Sequence, residues 1–252
     1  MKTISAIVIA KNEEDMITDC LKSISFCEEI IVIDNDSKDK TADISKKMGA
    51  KVFKDKAEDF SDLRNLGLKK ASSEWILYVD ADERISPELK EEIQSKVLSG
   101  KYKQDVAAFR IKRKNFYLGD YGWPHIEKME RLFKKESLKS WIGKLHESPI
   151  VDGEISEFDH FLIHHTHKDL TSMVNKTIEW SKTEAELRFD KNHPKITWWR
   201  FPRVMISAFI NSYIIQGGWK VGTAGLVESI YQAFSIFITY ARLWELQNQT
   251  KK

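Results

Sequence analysis

The sequence predicts an α/β protein, a mixed and mainly parallel Rossmann-like sheet flanked by helices, followed by a helical extension. Three observations carry that expectation. Strand and helix signals alternate through the first hundred residues, short strands crowd residues 106–165, and helical spacing returns from Asp169 onward. The expected division is a sheet domain over 1–167 and a helical extension over 168–252. At 252 residues the chain is long enough for a substantial core.

Ile4–Ala10 is a mostly apolar strand, and Asn12–Ile24 has helical spacing through Met16, Ile17, Cys20, Leu21 and Ile24, with acids in its first turn. Glu29–Ile33 is the next strand, which makes a βαβ start whose natural product is a parallel sheet. A helix near Lys40–Met48, a strand at Lys51–Phe53, a helix near Ser61–Ala71 and a strand at Trp75–Val79 continue the alternation. Ser86-Pro87-Glu88 starts a polar helix that runs to about Leu98 and is closed by Gly100. Ala107–Ile111, Arg131–Phe133 and Phe161–Ile163 read as strands added to the same sheet, separated by Gly- and Pro-marked turns. Beyond Asp169 the residues Leu170, Met173, Val174, Thr177, Trp180 and Leu187 form one apolar helical face.

The tail differs in composition. Five of the eight Trp residues follow His167, and Lys195–Lys252 holds seven basic against two acidic residues, a net of +5. With +2 for the whole chain, the first 194 residues carry −3, an acidic body that does not suggest a nucleic-acid binder. The longest uncharged runs in the tail, Val204–Trp219 and Ser229–Ala241, are 16 and 13 residues, short of the roughly 20 needed to span a bilayer. Basic ends and Trp flanks fit helices lying in a membrane interface, with a hydrophobic bundle or dimer surface as the alternative. Cys20 and Cys27 are the two cysteines, too few for a closed metal site, and read as buried thiols in a reducing compartment. The first strand begins at once, without a signal-type segment, so the cytoplasm is the expected location.

The chemistry-bearing residues gather at predicted strand ends. The Trp75–Val79 strand ends on Asp80-Ala81-Asp82, where α/β sheets place ligands, and paired Asp oxygens suit a hard divalent cation carrying phosphates. A solvated turn explains the pair equally well. The loop Ala10–Asn12 and Asp34 converge on one sheet edge, where backbone groups and a carboxylate can grip a planar base. Asp36 reads best as a cap for the helix before Thr41. Arg64 points near the buried face of its helix and can pair with phosphate oxygens, or with Asp59 or Asp62. Four of the seven His residues lie between His160 and His167; in an extended segment His164 faces away from His165 and His167. Tyr121 and Trp123, in a Gly-rich loop, can stack on a sugar or simply pack the turn.

Taken in order, Ser5–Glu14, Val32–Thr41, Arg64-Asn65, Asp80-Ala81-Asp82, Arg131-Leu132-Phe133 and His146-Glu147 resemble family 2 glycosyltransferases, and within them the lipopolysaccharide-core β-1,4-glucosyltransferases. The resemblance covers nearly the whole chain. It implies a GT-A type catalytic domain and an inverting, metal-dependent transfer of glucose or a similar hexose from a UDP-sugar to a lipid-linked saccharide. It also implies a peripheral site at the inner face of the cytoplasmic membrane. By the same resemblance Ala10, Asn12, Asp34, Arg64, Asp80 and Asp82 bind the donor, with Asp34 on the uracil. Asp82 holds Mg2+ or Mn2+ with His164 as candidate further ligand, and Glu147 is the base, with Asp120 ranked below it. His146, Tyr121 and Trp123 are then acceptor contacts. Where the family usually has Gly, this chain has Asp36. A plain Lys144–Glu147 surface pair stands against the base assignment. A sugar nucleotidyltransferase would favour a Gly-rich phosphate loop where this chain has Lys11-Asn12-Glu13-Glu14, and a non-catalytic membrane-associated binding protein would turn over no nucleotide sugar.

Overall fold

The computed structural model describes residues 2–57, 59–144, 147–166 and 169–249. Strands β1 (Ile4–Ala10), β2 (Glu29–Asn35), β3 (Lys51–Asp55) and β4 (Trp75–Asp80) pair in parallel. Helices α1 (Ile17–Ser23), α2 (Thr41–Lys47) and α3 (Phe60–Lys70) connect them. Four further strands complete one sheet: β5 (Glu83–Ile85), β6 (Val106–Tyr117), β7 (Tyr121–Lys134) and β10 (Glu154–His165), in the order β3-β2-β1-β4-β7-β6-β10-β5. β8 (Leu138–Ile142) and β9 (Ser148–Val151) form a separate antiparallel pair.

Every residue of β1 is buried, as a central parallel strand covered on both faces must be. Its side chains alternate between two cores. Ile4, Ala6 and Val8 pack with Ile17 and Leu21 of α1 and with Leu89 and Ile93 of α4 (Pro87–Ile93). Ile7 and Ile9 pack on the other side with Leu63 of α3, Tyr78 and Trp141. Gly67 lets α3 lie close to β1, since a Cβ there would stand 2.5 Å from the Ile7 side chain. The chain proceeds outward from β1 to β2 and β3, then returns through α3 to β4 on the other side. The topological switch point therefore falls between β1 and β4, where open α/β sheets bind ligands.

Several elements differ from expectation: β6, β7 and β10 extend beyond the expected strands, and β8 and β9 are strands that were not expected. α1 starts at Ile17, because Asn12 adopts a left-handed φ of 55° and the Glu13 and Glu14 amides are bonded to the Thr41 and Asp39 side chains. β5 is an additional strand, made where Leu162–His164 of β10 pair with Glu83–Ile85. α4 runs on through a π-helical stretch, Gln94–Leu98, before Gly100 at φ 71° ends it.

Glu29 anchors the start of β2. Its buried carboxylate accepts from Ser5 Oγ at 2.6 Å, Lys51 Nζ at 2.7 Å and the Ser72 amide at 3.0 Å. Burial pushes its pKa up, but Lys51 and these hydrogen bonds outweigh it and bring the value to about 2 from 4.5. A lowered folded value contributes stability above the unfolded pKa and loses it as pH falls. Glu29→Gln is therefore expected to cost about 3 kcal/mol at neutral pH and to flatten the loss of stability between about pH 4.5 and 2, measured by urea unfolding across that range.

The chain forms two compact units. One runs to Lys114 and resumes over Glu127–His164; the other comprises Asn115–Ile126 and everything from His165. The tip of the β6–β7 hairpin thus belongs with the C-terminal helices, which no single boundary along the chain can express. In the second unit α5 (Leu170–Asp190) begins with a capping box in which Asp169 accepts from the Ser172 amide at 2.7 Å. α6 (Arg200–Ile210) passes into a π-helical turn, Asn211–Ile215, and a 3-10 turn, Gly218–Val221, leads into α7 (Gly222–Gln249). Gly225 admits the Gly218 carbonyl against α7, since a Cβ there would lie 1.9 Å from that oxygen. Of the two charges between the uncharged runs, Lys220 precedes α7, while Glu228 is buried within it and accepts from Gln232 at 2.7 Å. By length and composition alone, Gly218–Gln249 is long and apolar enough to cross a membrane.

Candidate active site

The first part of the site is the edge where β1 and β2 end. Ala10 and Asp34 are Cα partners in the parallel register, and Ile9 is the partner of Asp80, so the three strand ends lie at one level. Their loops are tied to each other. The Asn12 amide donates to Ser37 Oγ at 3.0 Å, and Asn12 Oδ1 accepts from the Lys38 amide at 2.7 Å. Asp34 is 0% exposed, and neither of its carboxylate oxygens has a hydrogen-bond partner. A buried carboxylate forfeits its hydration, at several kcal/mol, unless a donor replaces it.

Asp36 is not the helix cap expected of it. The N-cap of α2 is Lys40; Asp39, one residue before it, accepts from the Thr41 amide at 3.0 Å, while Asp36 pairs with Lys38 at 2.8 Å. Asp36 has a φ of 55°, the left-handed conformation that glycine adopts freely and other residues rarely.

A charge network lies beside this edge. Arg64 donates from Nε to Glu147 Oε1 at 2.8 Å and from Nη2 to Asp80 Oδ1 at 3.1 Å, rather than to its helical neighbours Asp59 or Asp62. Its guanidinium lies 4.8 Å from the Trp141 ring centre. Asn65 clamps Trp141 from the same helix, donating to its carbonyl at 2.9 Å and accepting from its amide at 2.8 Å. Asp80 Oδ2 receives Arg131 Nη2 at 2.8 Å; the same nitrogen reaches Glu83 Oε1 at 2.9 Å, and Arg113 Nη1 adds a 3.0 Å bond to that oxygen. Burial would raise the Asp80 pKa, but Arg131 and Arg64 hold it far below the usual carboxylate range. Burial likewise works against the charge on Arg131, and Asp80 and Glu83 outweigh it to push its pKa up.

Arg131, Arg113 and Glu83 were assigned no role from the sequence. One signal was available: an arginine beside Leu132-Phe133 in an apolar strand needs a carboxylate partner when buried.

Asp82 meets His164 across the β5–β10 pairing, with Oδ2 and Nε2 3.2 Å apart. Among the described residues no group of three or more His, Cys, Asp or Glu side chains gathers as a closed metal site. A half-buried carboxylate beside an imidazole nonetheless fits a divalent ion that takes its remaining ligands from a diphosphate and water. His165 turns away and stacks on Phe116 within the second unit, with ring centres 5.5 Å apart, while His167 lies outside the described residues.

Glu147 directly precedes β9, and its bond to Arg64 replaces the surface pair with Lys144 considered from the sequence. His146 lies outside the described residues. In the second unit Asp120 is in the exposed hairpin turn, and Tyr121 is 51% exposed. Trp123 is 3% exposed: its indole N–H donates to Gln216 at 3.0 Å and its ring packs edge-on against Tyr117. Packing, the alternative to sugar stacking, describes Trp123, because its ring is enclosed.

Known proteins resemble this chain in sequence and in fold. The profile of glycosyl transferase family 2 matches residues 5–149. A glycosyltransferase of Rickettsia typhi is 30% identical over 100% of this chain and 90% of its own length. The lipopolysaccharide core biosynthesis glycosyltransferase LpsC of Rhizobium meliloti is 22% identical over 96% of this chain and 92% of its own. Among solved structures, S. aureus TarS 1-349 in complex with UDP is 16% identical, with a TM-score of 0.51 over 98% of this chain and 92% of that one, and shares the GT-A type fold. By its profile and its full-length relatives, the chain belongs to glycosyl transferase family 2 and is a glycosyltransferase.

Proposed function

We propose that the protein transfers glucose or a similar hexose, with inversion, from a UDP-sugar to a lipid-linked saccharide of the lipopolysaccharide-core kind at the cytoplasmic face of the membrane. The observation that carries the donor assignment is Asp34, a fully buried carboxylate with both oxygens unpartnered at the switch-point edge. A uracil ring seated between the Ala10–Asn12 loop and β2 would offer its ring N–H to that carboxylate. The acceptor class is supported by the likeness to LpsC.

The contacts support the following roles. Arg64, held between two carboxylates and an aromatic ring, turns its guanidinium to the diphosphate oxygens. Asp80, kept ionised by Arg131 and Arg64, orients the ribose. Asp82 and His164 would hold Mg2+ or Mn2+, which would supply positive charge against the departing diphosphate. Glu147 takes the proton of the acceptor hydroxyl as that oxygen attacks the sugar carbon opposite the diphosphate.

The test is a panel of nucleotide sugars screened by thermal stabilisation with and without Mn2+, followed by transfer to a lipopolysaccharide-core acceptor. UDP-sugars are expected to stabilise the protein most, and more with the metal. Asp34→Ala is expected to weaken UDP binding about 10- to 100-fold, while leaving stability equal or higher because a buried, unpartnered polar group is gone. Unchanged UDP affinity in that variant would overturn the assignment.

A further inference from the structure

We infer that α6 and the turns after it form a docking surface for an anionic phospholipid bilayer. α6 is rich in apolar residues, yet none of its residues is buried. Trp199, Arg203, Ile206 and Ile210 recur at helical spacing on one stripe. Arg203, Ile206, Ile210 and Ile215 line one open groove along α6 and the following π-helical turn, with Ser207 and Asn211 as its polar members. Before and after α6 in the chain, Trp198 is 81% exposed and Ile215 and Trp219 are 73% and 56% exposed. A soluble protein rarely leaves such a concentration of large apolar side chains open to water without a partner.

Charge selects the partner. Between Lys191 and Val227 the sequence holds Lys195, Arg200, Arg203 and Lys220 and no acidic residue. Arg200 and Arg203 lie over the Trp199 ring at 5.0 and 5.6 Å, and Lys220 lies over Trp219 at 5.5 Å. Aromatic rings bearing basic heads suit the level of lipid headgroups, where the rings enter the acyl boundary and the cations meet phosphate. A second copy of the chain suits the surface less, because a twofold pairing would set these cations against themselves. The helix lies on the bilayer rather than the bundle crossing it. α7, the segment apolar enough to span, joins polar side chains with α5: Tyr231 bonds Thr177 and the Met173 carbonyl, and Arg188 donates to Tyr240 at 3.3 Å. Such groups are costly to turn towards lipid.

The surface would serve the proposed membrane-borne acceptor, but its test needs no donor. The full chain is sedimented with phosphatidylcholine vesicles, with and without phosphatidylglycerol. Binding is expected with the anionic vesicles, weakening as salt rises. Arg200→Gln with Arg203→Gln is expected to lower partitioning about 10- to 30-fold, and Ile206→Ser with Ile210→Ser by a similar factor. All four side chains lie on a helix without buried residues, so UDP binding should persist and report an intact fold. No sedimentation with anionic vesicles, equal binding to pure phosphatidylcholine, protein that resists carbonate extraction, or a lipid-independent dimer broken by the Ile substitutions would each overturn the proposal. Lipid binding without UDP binding would leave this surface standing and remove the donor assignment.

Discussion

Glu147→Gln is expected to slow sugar transfer by about 100- to 10,000-fold while UDP affinity stays near that of the wild type. The substitution keeps the side chain's length and an oxygen able to accept from Arg64 Nε, whose 2.8 Å bond fixes its place. It removes the capacity to take a proton. A merely structural Glu147 would affect donor binding and stability at least as much as turnover, whereas a base affects turnover alone. Transfer and isothermal UDP titration, measured on the same preparation, separate the two. Full transfer activity in Glu147→Gln would end the assignment.

On the proposed reading, the position of Glu147 separates proton removal from leaving-group chemistry. Asn65 fastens α3 to β8 at Trp141, and Arg64, one residue earlier on the same helix, reaches both Asp80 at the end of β4 and Glu147 before β9. One helical turn therefore bonds to both carboxylates. The adjacency of Arg64 and Asn65 gives the helix a ring contact, a backbone clamp and a bridge between carboxylates.

What was legible in the sequence follows from period and range. β1 and β4 announce themselves because buried parallel strands are continuous apolar runs, and Asp34 and Asp80 because such runs end on acids. β5 did not, since three residues between Asp82 and Ser86 carry no periodic signal and become a strand only through pairing with β10. The partnership of Arg131 with Asp80 and Glu83 was equally hidden, because it joins β7 to β4 across some fifty residues through side-chain geometry alone. Asp36 misled for a local reason: Asp39 stands closer to Thr41 and satisfies its amide, leaving Asp36 to a turn conformation that composition does not reveal. Trp123 misled because an aromatic in a Gly-rich loop reads alike whether its ring is enclosed or open.

Arg131→Met is expected to destabilise the protein by about 3–5 kcal/mol at neutral pH, although methionine fills much of the same space. The arginine is the shared counter-charge of two carboxylates, and its loss leaves Asp80 only Arg64 and Glu83 only Arg113, with the two anions facing each other. The pH dependence has a definite sign. Because Asp80 has a strongly lowered folded pKa, its contribution is complete above the unfolded value of roughly 4 and is lost only as pH falls below that. Without Arg131 the lowering shrinks, so the variant should lose most stability at neutral pH and differ least from the wild type near about pH 3 in urea unfolding. A gap that widened towards acid would contradict this. Glu83→Gln added to Arg131→Met should recover part of the loss, since it removes one of the two exposed claims on the missing cation; no recovery would mean that packing, rather than charge, is what Arg131 supplies.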